Sequence, residues 1–231
     1  MAQKNAYLFR GRFSERKFRD LTRLFALDVT ADRAAAFTCL NHKTAATIFT
    51  LLRLRMAELA REGCPFRGEV EVDESYFGPT RVRGRPGRGA GKKTPVFGIL
   101  ERAVRVHCQI VRNCSKTTLQ AILRGQVDLS AYIHSDGFRS YDGLVEAGFA
   151  RHHRILHGKA KFAEGGVHIN GIESFWSFAK RRHQKFNGLR RSSFPIFLKE
   201  TEFRFNTRQD NLYRILLRSC RIRPLRRTEL E

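Results

Sequence analysis

Three acidic residues and one lysine have types and spacings that suit chemistry on a phosphodiester. Asp73 lies in a segment with strand periodicity, and Asp136 directly follows a short predicted strand. Glu173 and Lys180 are seven residues apart on a predicted helix, so their side chains point to the same side of it. Carboxylates are ligands that Mg²⁺ prefers, and a pair of ions about 3.5–4 Å apart can activate an attacking oxygen and stabilise a leaving one. The set therefore indicates two-metal chemistry, with Lys180 placed to hold a phosphate or a base.

Each of these residues also has an ordinary structural explanation. An exposed edge strand would account for Asp73, and the Ser-Asp-Gly sequence around Asp136 is a common turn. Asn170 and Glu173 have the spacing of a capping box, which would leave Lys180 as a solvated charge. The order of the three acids in a strongly basic chain favours the chemical interpretation.

The charge of the chain indicates a polyanionic partner. Its 231 residues include 44 Lys and Arg against 22 Asp and Glu, a formal net charge of +22. Every phosphate that such a surface neutralises releases counterions, so nucleic acid is the favoured partner. A ribosomal-type or merely basic protein is the alternative, although 42% hydrophobic residues with 19 Phe predict a substantial packed core.

Membrane and secreted classes do not fit this sequence. It has no apolar run of membrane-spanning length and no signal peptide at its N-terminus, so we expect a soluble protein of the cytoplasm with no membrane partner. The five cysteines are odd in number and form no C-x-x-C pair. Neither a disulfide framework nor a zinc ribbon is therefore expected.

The first part of the chain has helical periodicity. After a polar lead-in of about 18 residues, the apolar spacing predicts three helices, with Thr30 capping the second and a tight turn before the third. A helix-turn-helix has this arrangement. The second helix of such a pair, here the third predicted helix, places its first turn in the major groove. A plain helical bundle explains the apolar positions equally well. If the helices contact DNA, the contacting residues are His42, Lys43, Thr44 and Thr47.

The segments after residue 66 alternate between strands and helices. Strand patterns occur at 68–78, 95–100, 104–111, 131–134 and 152–156. Helices are predicted from Ser115 to about Leu123, around 141–147 and from Asn170 onward. Asp136 thus follows the C-terminal end of a strand, where α/β sheets commonly place their active sites.

A basic segment, residues 79–93, separates the first two predicted strands. Its glycines and prolines without an apolar period predict a flexible loop, and it lacks the P-loop pattern G-x-x-x-x-G-K-[ST]. Contact with a nucleic-acid backbone is the favoured interpretation, and an ordinary solvated insert is the alternative. The basic residues of the loop are Arg81, Arg83, Arg85, Arg88, Lys92 and Lys93.

Basic clusters continue beyond Lys180. They include Arg181 and Arg182, and they are followed by predicted helices near 194–206 and up to about 218, with a basic C-terminal end. Such clusters are often a solvated face, but here they would extend the positive surface beside the proposed site.

Four sequence blocks, in this order, resemble one family of proteins. They are VDESYFG, HSDGFRSYDGL, HINGIESFWSFAKRRHQKFNG and FLKETEFRFN. From about Gly68 to Asn211 the chain resembles the DDE transposases of the IS1595 superfamily, with the ISXO2-like domain, and is most similar to the IS1016 group related to eukaryotic Merlin elements. The resemblance implies an RNase H-like fold that cuts and joins DNA at inverted repeats.

The resemblance also implies roles for individual residues. Asp73, Asp136 and Glu173 match the catalytic acids, which would hold two Mg²⁺ ions, with Mn²⁺ as a substitute. Lys180 matches the basic residue that follows the third acid, and Glu74 is a secondary acid. Two residues of the HIN segment would orient the third acid or contact DNA, namely His168 and Asn170.

One departure from the family concerns recognition of the transposon ends. Many relatives begin with a cysteine-rich zinc ribbon, which this chain lacks, so end recognition would fall to its N-terminal helices. The resemblance further implies a homodimer or larger assembly on paired ends of double-stranded DNA.

These observations together predict an α/β fold class: an RNase H-like mixed five-stranded sheet with flanking helices, preceded by a small all-α helix-turn-helix-like domain. The predicted domains are 1–66 for DNA binding, 67–190 for catalysis, and 191–231 as a basic helical extension packing on the catalytic domain. We expect a bacterial insertion-sequence transposase, acting at the nucleoid on terminal inverted repeats and target DNA. The alternatives are a catalytically silent DNA-binding regulator and a nuclease that hydrolyses without joining.

Overall fold

The computed structural model describes residues 5–60, 65–78, 93–136, 139–145, 148–155, 170–186 and 189–230. The chain forms two compact units, residues 1–62 with 199–231, and residues 63–198. In chain order the helices and strands are α1 (Glu15–Ala26), α2 (Ala31–Thr38), α3 (His42–Leu59), β1 (Glu69–Phe77), β2 (Thr94–Glu101), β3 (Arg105–Ile110), α4 (Lys116–Gln126), β4 (Tyr132–Asp136), β5 (Arg151–Ile155), α5 (Asn170–Gln184), α6 (Phe194–Asn206) and α7 (Leu212–Ile222).

The first unit begins with the three predicted helices. Ser14 caps α1 by accepting from Lys17 N–H, and Asn41 caps α3 by accepting from Lys43 N–H. Between α2 and α3, Cys39 takes a left-handed conformation with φ of 49° and makes the tight turn. These local signals explain why the helical N-terminal region could be recognised from sequence.

The C-terminal segment belongs to the same unit as the N-terminal helices. Leu216, Cys220 and Leu225 are fully buried in one core with Phe18 and Phe49. The predicted division differed here, because it packed residues 191–231 on the catalytic domain. The sequence predicted a helix in this region but carried no information on which partner its apolar face meets.

The second unit is built on a mixed five-stranded sheet in the order β3-β2-β1-β4-β5. Strand β1 pairs antiparallel with β2 and parallel with β4; β2 pairs antiparallel with β3, and β4 parallel with β5. With its flanking helices this is the predicted RNase H-like arrangement, and the prediction of the fold class is confirmed.

The two faces of the sheet meet different helices. Val70, Val72 and Ile133 lie on one face, in a core with Leu119 and Leu123 of α4. Because side chains alternate along a strand, Glu71 and Asp73 point to the opposite face, which α5 covers. The face under α5 is therefore the one that carries the first candidate acid.

One predicted helix takes a different form. The segment expected to be helical around 141–147 is a short 3₁₀ turn, Arg139–Tyr141, followed by turns through Val145. Gly143 has a φ of 77°, a left-handed conformation that interrupts a right-handed helix. Among the described helices, none is both long and apolar enough to cross a membrane.

Candidate active site

Asp73 and Asp136 are brought together by the pairing of two parallel strands. Val72 on β1 is the register partner of Ser135 on β4, so the next residue of each strand is one of the two acids. Burial, and then the charges of Glu74 and Asp136, together raise the pKa of Asp73 to about 7. The two strand acids are thus close enough to disfavour their joint ionisation.

Helix α5 adds the third acid and the lysine. Glu173 and Lys180 are both exposed, and they line a cavity of about 330 Å³ together with Asp73. The remaining lining residues are Glu74, Ser75, Trp176 and Ser177. The structure therefore places Asp73, Glu173 and Lys180 around one cavity, and Asp136 beside Asp73.

Trp176 connects α5 to the first acid. Its indole N–H donates a hydrogen bond of 3.0 Å to Oδ2 of Asp73. The ring lies against Gly98, the register partner of Asp73 on β2, where an added Cβ would come within 2.5 Å of Cζ2. A glycine in this central strand thus permits the close approach of the indole. The hydrogen bond lowers the pKa of Asp73, against the larger raising effect of burial.

Glu71 holds the beginning of α5 from the same strand. It is buried, and its Oε2 accepts a hydrogen bond of 2.8 Å from the backbone N–H of Ile172. Arg102 donates through Nε to the other carboxylate oxygen, also at 2.8 Å. An acceptor on β1 therefore satisfies an N–H in the first turn of the helix, where the chain itself offers no partner.

Glu74, the residue next to Asp73, is bound by a buried tyrosine. The hydroxyl of Tyr141 donates to Oε2 of Glu74 at 2.6 Å. Burial raises the pKa of Glu74 above its ordinary value, while the bond from Tyr141 lowers it and the charge of Asp136 raises it. Glu74 is thus a fixed part of the acidic cluster, in addition to the predicted three acids.

The predicted two-ion site is not assembled as a ready-made set of ligands. Within the described ranges, no three His, Cys, Asp or Glu side chains stand close enough together to hold a metal ion. Asp136 is the neighbour of Asp73 across the parallel pair, and Glu173 lines the cavity with Asp73. The metal-binding role of the three acids stays a prediction.

The predicted DNA-contacting residues differ in how exposed they are. At the start of α3, His42 and Lys43 are exposed while Thr44 and Thr47 are half-buried, and His42 Nε2 lies 2.7 Å from Asp32 Oδ1. Lys93, Asn170, Lys180 and Arg181 are exposed, and Asn170 is the first residue of α5 rather than its cap. Predictions for Arg81, Arg83, Arg85, Arg88, Lys92 and His168 lie outside the described residues.

Arg182 differs from the expected exposed position. Only 6% of it is accessible, and its guanidinium lies 5.4 Å from the centre of the Phe186 ring. Its place on α5, one residue after Arg181, turns it towards the interior of the unit. Arg182 therefore packs against an aromatic ring in this structure.

Three side chains near the acids were not predicted to take part in the site. Trp176 was predicted as core from helical spacing, which its 4% exposure fits, but its bond to Asp73 was not foreseen. Glu71 and Tyr141 were missed as well. The one local signal was Gly98 inside a predicted strand, because such a glycine often marks a close approach.

Comparison with known proteins identifies the family to which this chain belongs. The family model of the ISXO2-like transposase domain matches residues 65–206, and the chain belongs to that family. A transposase-like protein of Haemophilus influenzae is 44% identical over 102 residues, which cover 44% of this chain and 81% of that protein. A protein in transposable element ISH50 of Halobacterium salinarum is 28% identical over 152 residues, covering 59% of this chain and 52% of that protein.

Solved structures with some likeness come from the Mos1 transposase. The crystal structure of the Mos1 strand transfer complex has a TM-score of 0.36 at 12% identity, covering 93% of this chain and 80% of that chain. The Mos1 paired-end complex with the left transposon end has a TM-score of 0.29 at 12% identity, covering 92% and 81%.

Proposed function

We propose that this protein is an insertion-sequence transposase that binds terminal inverted repeats and catalyses metal-dependent 3′-end cleavage and strand transfer. The observation that carries the proposal is the convergence of acids from three elements. Asp73 on β1 and Asp136 on β4 are neighbours in a parallel pair, and Glu173 on α5 lines the cavity next to Asp73. Membership of the transposase family supports the same activity.

The residues of this cluster fit divalent cations. Burial and two neighbouring carboxylates raise the pKa of Asp73 to about 7, and a cation bound beside this acid would favour its ionised form. Carboxylate oxygens are ligands that Mg²⁺ and Mn²⁺ prefer. Asp73, Asp136 and Glu173 would hold the ions, whose chemistry is activation of the attacking oxygen and stabilisation of the leaving one.

The other residues of the cavity act on the DNA strand. Lys180 is exposed two turns after Glu173, and its ammonium group would hold a phosphate at the cavity. Arg181 is exposed beside it and would extend the positive surface along the backbone of the DNA. Lys180 and Arg181 would neutralise the negative charge of the DNA phosphates, while the acids would hold the metal ions.

Recognition of the transposon ends is assigned to the first unit. The first turn of α3 presents His42 and Lys43 to solvent, with the half-buried Thr44 in the same turn and Thr47 in the next one. In a helix-turn-helix this turn contacts base edges and neighbouring phosphates. Pairing of two ends requires two copies of the protein, so the active species is a homodimer or larger.

The test incubates the protein with a labelled duplex carrying the terminal repeat, together with a target plasmid, in Mg²⁺ and separately in EDTA. We expect nicking at the 3′ end and a joined product in Mg²⁺ alone. Asp136→Asn, which keeps the size of the side chain, should abolish both products and leave end binding intact. The matched control is Asp128→Asn, since Asp128 lies in the same unit at an exposed turn and bonds to Ser130.

The outcomes separate three functions. Joined product that requires Mg²⁺ and Asp136 supports the transposase. Cleavage without joining would favour a hydrolytic nuclease, and end binding without any cut in Mg²⁺ or Mn²⁺ would favour a regulator.

A further inference from the structure

We propose that Trp176 is a positioning residue of this site, because its indole orients the Asp73 carboxylate and fixes the position on the sheet of the helix that carries Glu173. The inference rests on the proposed function and adds to it. It concerns a side chain that neither supplies charge nor resembles a metal ligand.

The first part of the argument is the hydrogen bond. The indole Nε1–H has one proton to donate, and it donates it to Oδ2 of Asp73 at 3.0 Å. Trp176 is 4% exposed and lines the cavity, so the bond is shielded from water on the helix side. The bond restricts rotation of the carboxylate and leaves Oδ1 without this constraint. A buried neutral donor in this position orients a carboxylate in the way that outer residues orient metal ligands.

The second part of the argument is the packing of the indole ring. An added Cβ on Gly98 would lie 2.5 Å from Cζ2 and 2.9 Å from Cη2 of Trp176, so the six-membered ring rests directly on the backbone of β2. Phe175 and Phe77 flank the indole, with ring centres 4.9 Å and 6.1 Å away. The ring is held on several sides, and its N–H can therefore meet Asp73 in one orientation.

The third part is the position of Trp176 on its helix. Glu173 precedes it by three residues, less than one turn of α5, so both side chains move with the same segment of backbone. Trp176 thus contacts Asp73 directly, and its packing sets the distance of Glu173 from the sheet. A change at Trp176 should disturb the spacing between Asp73 and Glu173 without removing either carboxylate.

The main experiment compares two variants of the full-length protein by titration calorimetry with Mn²⁺. Trp176→Phe keeps an aromatic ring on Gly98 and removes the N–H donor. Ile172→Val is the matched control, because Ile172 lies on the same helix face against Gly98 but its side chain makes no bond to Asp73. We expect Trp176→Phe to weaken Mn²⁺ binding by about 10–100-fold, the range found for outer residues of metal sites. Ile172→Val should keep the wild-type affinity.

A second measurement does not depend on the folding of a variant. Trp176 is the single tryptophan of the chain, so the tryptophan emission of the wild-type protein comes from this position alone. Mn²⁺ is paramagnetic and quenches a fluorophore that it approaches closely. We expect saturable quenching whose midpoint agrees with the calorimetric one.

The results decide between the inference and the proposed function. Wild-type affinity in Trp176→Phe, or Mn²⁺ binding without a change in emission, would overturn the role of Trp176 and leave the transposase proposal standing. Equal weakening in both variants would also overturn it, because packing alone would then explain the loss. Absence of saturable Mn²⁺ binding to the wild-type protein would overturn both proposals.

Discussion

Glu71 accepts a hydrogen bond of 2.8 Å from the backbone N–H of Ile172, so a strand residue caps the helix that carries Glu173. The fit is close, since a Cβ on Gly171 would lie 3.0 Å from Oε2 of Glu71. Arg102 completes the arrangement by donating to the other oxygen of the same carboxylate. Helix α5 is thus attached to β1 at its first turn through Glu71 and one turn later through Trp176.

Replacement of Glu71 should loosen this attachment. Glu71→Ala leaves the N–H of Ile172 buried without an acceptor and Arg102 without one of its partners, and we expect the free energy of unfolding to fall by about 3 kcal/mol. Urea unfolding measures the loss. The control is Glu101→Gln, which weakens the longer pair with Arg105 at 3.4 Å while keeping a polar side chain, and it should cost less than Glu71→Ala. Equal losses would argue against the capping role.

The raised pKa of Asp73 should appear in the pH dependence of stability. Between about pH 4 and pH 7 the folded protein retains a proton that the unfolded chain releases, so the free energy of unfolding falls by up to about 1.4 kcal/mol per pH unit. Asp73→Asn removes this component. In EDTA, we expect the variant to gain up to about 3 kcal/mol relative to wild type between pH 5 and pH 8.

Urea unfolding at the two pH values tests this expectation. Asp128→Asn serves as the control, because hydrogen bonds from Ser130 lower the pKa of Asp128 and leave it ionised in both states across this range. A difference between Asp73→Asn and wild type that stays constant with pH would show that the pKa of Asp73 is not raised.

In the first unit, Glu200 should be a major determinant of stability. It is fully buried, and its two oxygens accept from Arg53 Nε at 2.7 Å and from Arg204 Nε at 2.9 Å. Glu200→Ala leaves two largely buried guanidinium groups without this counter-charge, and we expect a loss of about 3–5 kcal/mol. Asp32→Asn, at an exposed ion pair with His42, should change stability by less than about 1 kcal/mol. Similar effects of the two changes in urea unfolding would contradict this ranking.

End recognition should depend on the first turn of α3. Replacing His42 and Lys43 together by alanine should weaken binding to the terminal repeat by about tenfold or more and reduce the slope of log affinity against log salt by about one. Footprinting and salt titration of the affinity provide the measurement. Lys116→Ala is the control, since this lysine is likewise exposed in the first turn of a helix but begins α4 of the second unit. An unchanged footprint would assign the N-terminal helices to packing alone.

The individual strands and helices could be predicted because their determinants are local, whereas the RNase H-like arrangement of the sheet was implied by the family resemblance. Val70 and Val72 alternate with acids along β1, and Ser115 accepts from Thr118 N–H to begin α4 as its sequence indicates. Each of these two inferences needs only residues within a few positions of one another. The neighbourhood of Asp73 and Asp136 is not local, and it was expected from the order of the acids along the chain and from the resemblance to the transposase family.

The contacts that fix the site could not be predicted in this way. The bond from Trp176 to Asp73 spans 103 positions of the chain, and the bond from Ile172 to Glu71 spans 101. No periodicity within a helix or strand indicates such partners. Helical spacing correctly identified the buried face of α5. That the indole N–H of Trp176 meets Asp73 depends on how this face packs on the sheet.

The contact between Gly98 and Trp176 restricts how this protein can change over generations. A methyl group at position 98 would collide with the indole, whereas beside a smaller side chain at position 176 its nearest contact would be the flexible end of Ile172 at 3.0 Å. We therefore expect substitutions at positions 98 and 176 to occur together. In a library randomised at both codons and selected for transposition, glycine at 98 should be recovered whenever tryptophan is kept at 176.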